Sequence, residues 1–369
     1  MKSLKIPFTL CLFATAAVAM APNRAAAQEN YGAVFVMTNA ATNNLINAYT
    51  RRDDGSLEFS GAFATGGNGS GGTVDPLHSQ GSLTLSADHR LLFAVNAGSG
   101  TVSSFAVRGA QLFLLDKEPT GGSSPTSVTQ AGDLVYVLNS GGNGSVSGFR
   151  ILGNGHLLPV ENSTHNLSGT DTKPTDVVLS PNRQFLVVAE TATNNIDVFR
   201  VYPDGRLSDI VANPSAGATP FAAAFAPNGA LVVANASNTV SSYSLRWNQS
   251  LSTISDDLPT DGLATCWSVI LRDGRFLYTD NAMSSNQSGF VIKDNGSLVP
   301  IGNTVVSSNP SGSTNIDIAA SADSRYVYTL NAATGAIGIF AVQEDGSLSN
   351  LGQFDGLPAS AGMNGIAAY

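Results

Sequence analysis

The sequence predicts an all-β fold, a seven-bladed β-propeller closed by pairing of the N- and C-terminal strands in one blade. Three observations point to it. A four-strand unit recurs along nearly the whole chain, its copies are spaced in the forties to fifties of residues, and the C-terminal segment supplies the one strand that the count otherwise lacks.

The unit is clearest over residues 173–212, KPTDVVLSPNRQFLVVAETATNNIDVFRVYPDGRLSDIVA. TDVVLS is apolar and β-branched, Ser180-Pro181-Asn182 makes a turn, and FLVVAE forms a second apolar run. A polar TATNN turn leads to the alternating IDVFRV, Pro203-Asp204-Gly205 closes a tight hairpin, and LSDIVA begins a shorter outer strand. Such a unit cannot bury both faces of its sheet alone, so it needs neighbours.

Second strands end at Asn39, Asn96, Asn139, Glu190, Asn235, Asn281 and Asn331, at spacings of 57, 43, 51, 45, 46 and 50 residues. Third strands follow in register, from LINAYT to AIGIFAV. First strands are SLTLS, SVTQA, DVVLS, AAAFA, SVILR and DIAAS, one too few for seven blades. GIAAY, residues 365–369, has the missing pattern, while AVFVMTN at the other end is a second strand with no first. Joining the two in one blade removes the exposed sheet edges of an open array. The longest insertion, GGNGSGGTVDPLHSQ at residues 66–80, lacks the Gly-Lys-Ser/Thr of a phosphate loop and reads as a flexible loop on one propeller face.

Residues 1–27 read as a secretory signal, with Lys2 and Lys5, a short apolar run and an Ala25-x-Ala27 motif, and residues 28–369 as the propeller domain. The apolar run is shorter than the ~20 residues a membrane span needs. A secreted or periplasmic monomer without a membrane span is expected. Cleavage removes three cations and no acid, taking the formal charge from −9 to −12, which argues against a nucleic-acid partner. Cys11 leaves with the signal and Cys266 then has no partner, so the core must hold without a disulfide.

The repeat carried by SPNRQFLVVAE, LSADHRLLFAVNAGSGTVSSFAV and ASADSRYVYTLNAATGAIGIFAVQEDGSL resembles the seven-bladed lactonase family, which includes bacterial 6-phosphogluconolactonase and fungal carboxymuconate-lactonising enzymes. The run from FATGGNGSGG through DPLHSQGSLTLSADHR is similar to an exported, carboxymuconate cyclase-like branch. The resemblance implies an enzyme that opens or forms a lactone of a sugar acid or a muconate. The alternative is a non-catalytic extracellular scaffold that binds a glycan or protein with the same face. Active members tend to read Pro-His before the first strand of blade four and Asp-Leu-Gly-x-Asp-Arg after its second. Here Pro174-Thr175 and Glu190-Thr191-Ala192-Thr193-Asn194-Asn195 stand at those places, without the histidine or the arginine.

Lactone hydrolysis needs a base for water and a donor or cation for the oxyanion. Glu190 breaks the asparagine repeat and is the candidate base, with Asp176 as a second carboxylate and Lys173 as the cation. His78, entering blade two, is a further acid–base candidate. Thr175, Asn194, Asp280 and Asp317 are candidate substrate contacts on the same face, and Trp267 could stack on a ring-shaped ligand. The six repeated asparagines read as strand-end turn chemistry. No cofactor is expected; Ca²⁺, held by oxygens of Asp280, Asp317 and Asn281, is the one metal alternative.

Overall fold

The structure, a computed structural model, describes residues 32–369 and Met1, so the expected signal sequence otherwise lies outside the described residues. Seven antiparallel sheets follow one another along the chain, each a four-stranded meander running outward from a central channel. Blade three carries one additional two-residue strand, His165–Asn166. The innermost strands touch one another in cyclic order all the way round.

The ring closes as the sequence implies. Val34, Phe35 and Val36 of the strand Gly32–Met37 pair antiparallel with Ala368, Ala367 and Ile366 of the last strand. The Met37 amide donates to the Gly365 carbonyl at 3.0 Å, and the Tyr369 amide to the Ala33 carbonyl at 3.0 Å.

Second strands such as Phe185–Glu190 and Tyr326–Asn331 are buried at every position. Each lies between two neighbouring blades, so both of its faces need apolar side chains and its sequence reads as a continuous apolar run. Outer strands such as Leu348–Asp355 are largely exposed beyond their first residue. Tyrosines of the second strands tie blade to blade: the Tyr136, Tyr278 and Tyr328 hydroxyls donate to the carbonyls of Gly205, Gly346 and Gly55 at 2.6, 2.9 and 3.0 Å. Those turn glycines have φ near +85°, and a Cβ on Gly55 or Gly346 would lie within 2.6 Å of Tyr326 or Phe276. Only glycine meets both demands.

The innermost strands depart from simple alternation. In blades three to seven the register slips between Pro125 and Ser127, Pro174 and Asp176, Pro220 and Ala222, Thr265 and Trp267, and Asn315 and Ile318. A bulge of this kind re-aims the side chains beside it. Among the described residues, no helix is long and apolar enough to cross a membrane.

Candidate functional site at the plugged channel mouth

Residues 66–80 are anchored across the channel mouth, which corrects the expectation of a flexible surface loop. The Asn364 side chain donates to Asp75 Oδ1 at 3.1 Å, and Ser79 Oγ donates to the Thr126 carbonyl of blade three at 2.8 Å. The Gln80 amide donates to the Thr175 carbonyl of blade four at 3.0 Å. From blade six, Trp267 Nε1 donates to the Ser79 carbonyl at 3.0 Å and the Ser268 amide to Gln80 Oε1 at 2.8 Å. The loop's polar backbone enters the channel because the strand starts around it supply partners. Beneath the plug a cavity of about 330 Å³ extends toward the opposite face, with Gln80, Gly81 and Asp317 in its lining.

Three carboxyl groups gather at this plug, Asp75 within it and Asp176 and Asp317 around it. Asp176 accepts from Ser127 Oγ at 3.0 Å and the Ala223 amide at 2.9 Å; Asp317 accepts from the Ile318 and Ile366 amides, both at 3.0 Å. Burial pushes Asp75, Asp176 and Asp317 each up to about 7, and the charges of Asp176 and Asp75 add to the rise at Asp317.

His78 is the titratable group of the plug that the mouth leaves exposed. Its ring stands edge-on to Phe221 at 5.0 Å, and Phe221 stands edge-on to Trp267 at 5.0 Å. Packing against these groups, and then the charge of Lys173, lower the His78 pKa below its ordinary 6.5. Lys173 is exposed at the same rim, with Nζ 2.8 Å from Asp171 Oδ1. The imidazole and the ammonium therefore lie close enough at the exposed rim for the lysine's charge to act on the ring.

The other expected site residues go elsewhere. Glu190 is fully buried: Ser168 donates to it through its amide at 3.2 Å and its hydroxyl at 2.6 Å, and Thr193 Oγ1 at 2.5 Å. Asp197 accepts from the same Ser168 amide at 3.1 Å, and burial, then the neighbouring Glu190 carboxyl, push its pKa up to about 9. Asn96 and Ser103, or Asn281 and Ser288, make the matching amide-to-hydroxyl contact at 2.9 and 2.8 Å in other blades. Glu190 and a protonated Asp197 thus replace that pair within the blade packing, away from the exposed mouth. Thr175 is fully buried and donates to the Phe221 carbonyl at 2.6 Å, because the bulge at Pro174–Asp176 turns it into the blade interface. Trp267 is buried beneath the plug and is spent on holding it. Asn194 Oδ1 accepts from the Thr219 amide at 2.7 Å, a strand-end contact.

Asp280 lies fully buried beside Gln287, whose Nε2 donates to Oδ1 at 2.9 Å, and burial raises its pKa well above the ordinary value. Asn281 Oδ1 accepts from Thr265 Oγ1 at 2.5 Å while its Nδ2 donates to Asn286 and Ser288 at 2.8 Å each, so its oxygen does not join those of Asp280 or Asp317. Among the described residues, no group of three or more His, Cys, Asp or Glu side chains is placed to hold a metal ion. Sequence reasoning passed over Asp197, Asp75 and Gln80. Only Asp197 carried a signal, standing in register with Ser103, Ser147, Ser241 and Ser288.

A family profile described as "Lactonase, 7-bladed beta-propeller" matches residues 71–175 and 160–266. The chain belongs to this lactonase family. Its fold is similar to that of the periplasmic gluconolactonase of Pseudomonas aeruginosa, at a TM-score of 0.71 and 19% identity over 92% of this chain and 98% of that one. It is likewise similar to a candidate 6-phosphogluconolactonase of Bacteroides uniformis, at a TM-score of 0.70 and 19% identity over 92% of this chain and 99% of the other. No curated protein sequence matches significantly.

Proposed function

We propose that this lactonase family member hydrolyses a lactone of a sugar acid at the plugged mouth, with His78 as general base and Lys173 as the cation facing the oxyanion. Family membership supports lactonase-type chemistry. The observation that carries the assignment is the exposed His78 ring, kept neutral by its packing and by Lys173. A neutral imidazole takes a proton from water as the water oxygen attacks the lactone carbonyl carbon. The ammonium stabilises the tetrahedral oxyanion, and collapse breaks the ring carbon–oxygen bond. The imidazolium then returns its proton to the departing ring oxygen, leaving a hydroxy acid. His78 supplies an imidazole at the mouth of a chain that has Thr175 where active members tend to have a histidine.

The signal-like residues 1–27 and the similarity to a periplasmic gluconolactonase favour action outside the cytoplasm. A muconate lactone is the other substrate class the family suggests. The test is a panel of aldonic and muconic lactones with wild type, His78→Gln and Lys173→Gln. His78→Gln is expected to lower kcat/KM by about 100-fold or more. The wild-type rate should fall on acidification with a midpoint below pH 6.5, the ordinary histidine value. Lys173→Gln should move that midpoint up, because the charge that disfavours the imidazolium is gone. Full activity in His78→Gln would reject the assignment. Absence of turnover with every lactone would instead favour a binding scaffold.

A further inference from the structure

On the face opposite the plug, turns of blades three, four and five enclose a cleft of about 480 Å³ lined by Asp133, Asn182, Arg183, Arg200, Tyr202 and Trp247, among others. Asn182 and Arg183 lie between the first and second strands of blade four, and Trp247 between the third and fourth strands of blade five. In a meander those turns sit at the far end from where the first strands begin, which is the end the plug closes.

Two features mark the cleft as built for a ligand. Trp247 stands at a turn tip where the matching turns of other blades carry Asp53, Gly153, Pro203, Asp294 and Glu344, so the repeat does not call for an aromatic there; its ring meets Phe185 edge-on at 5.9 Å and is otherwise open to the cleft. It is 59% exposed, and Tyr202 is 41% exposed. The second feature is Arg200, whose guanidinium carbon lies 3.9 Å from the Trp247 ring centre. Among the described residues its guanidinium has neither a salt bridge nor a hydrogen-bond acceptor. Stacking occupies the flat face of a guanidinium and leaves its in-plane N–H fork free for a carboxylate. Nearby, Asp133 pairs with both Arg150 and Arg183, and Asp204 with Arg206, which leaves the Arg200 guanidinium as the cleft's uncompensated cation in a chain whose net charge is −9.

We propose that this cleft binds an anionic saccharide, a sugar ring bearing a carboxylate. The carboxylate takes the Arg200 fork, and the ring's C–H face rests on the exposed aromatic surface of Trp247 and Tyr202. The Tyr202 hydroxyl suits a polyol rather than a greasy ring. The site stands apart from His78 and does not depend on the lactonase reading.

Titration calorimetry of the full chain with trigalacturonate tests this, with maltotriose and benzoate in parallel at matched ionic strength. Trigalacturonate is expected to bind, at least tenfold more tightly than either control. Arg200→Gln and Trp247→Ala should each weaken it at least tenfold while leaving lactone turnover unchanged. Arg183→Gln, at an exposed position, should weaken it more modestly and serves as the second variant should either of the others fold poorly. The proposal is overturned if trigalacturonate does not bind, if maltotriose or benzoate binds as tightly, or if the variants leave its affinity unchanged.

Discussion

Glu190 and Asp197 show how one blade solves a shared packing problem with different chemistry. Elsewhere an asparagine amide donates to a serine hydroxyl; here two carboxyl groups do the work only if one keeps a proton. Asp197 is raised from 3.8 to about 9, so the folded state holds a proton that the unfolded state releases above about pH 4. That stabilisation is complete below the unfolded value and is lost as pH rises toward 9. Replacing the pair by Glu190→Asn with Asp197→Ser should change stability little at pH 4. By pH 8 the double variant should exceed wild type by more than about 1.4 kcal/mol, the equivalent of one pKa unit. Denaturant melts at the two pH values decide it; a difference that does not vary with pH would refute the shared-proton account. The break at Glu190 was visible in the sequence, and so was Asp197 in register with four serines. What the sequence hid was that the pair faces a neighbouring blade and leaves the mouth to His78.

At the scale of elements, strands and hairpins were legible because each carries its own periodicity and turn residues. The closing strand GIAAY was legible because the ring left it only one place. The plug was not, since residues 66–80 are rich in Gly and Ser and their partners come from strands far away in sequence, Thr126, Thr175, Trp267 and Ser268. Alternation also failed at the bulged first strands, where Thr175 turns inward and Asp176 meets the plug. Trp267→Phe keeps an aromatic ring against Phe221 but deletes the bond to the Ser79 carbonyl. Hydrogen exchange at residues 72–81 should quicken severalfold in that variant while the second strands keep their protection. Equal exchange in the two proteins would mean that the plug does not rely on this bond.

For the whole molecule, five buried or half-buried carboxyl groups point the same way with pH, Asp280 among them, raised well above its ordinary value by burial. Asp75, Asp176 and Asp317 are raised to about 7 and Asp197 to about 9, so each withdraws stability as pH climbs from about 4 to its folded value. Surface turn aspartates, Asp54, Asp88, Asp204 and Asp345, are shifted down and matter only in stronger acid. The melting temperature is therefore expected to peak near pH 4–5 and to fall toward pH 8, as a calorimetric series would read. A rise from pH 5 to 8 would contradict it.

If His78 and Lys173 are the reacting groups, a lactone's product must rest against them at the rim of the plugged mouth. The most direct measurement is a crystal structure of the protein soaked with D-gluconate, the product expected from opening a gluconolactone. The sugar acid is expected against His78 and Lys173, with residues 72–81 still seated across the channel. Gluconate lodged only at Trp247 and Arg200, or only in the cavity beneath the plug, would contradict that assignment.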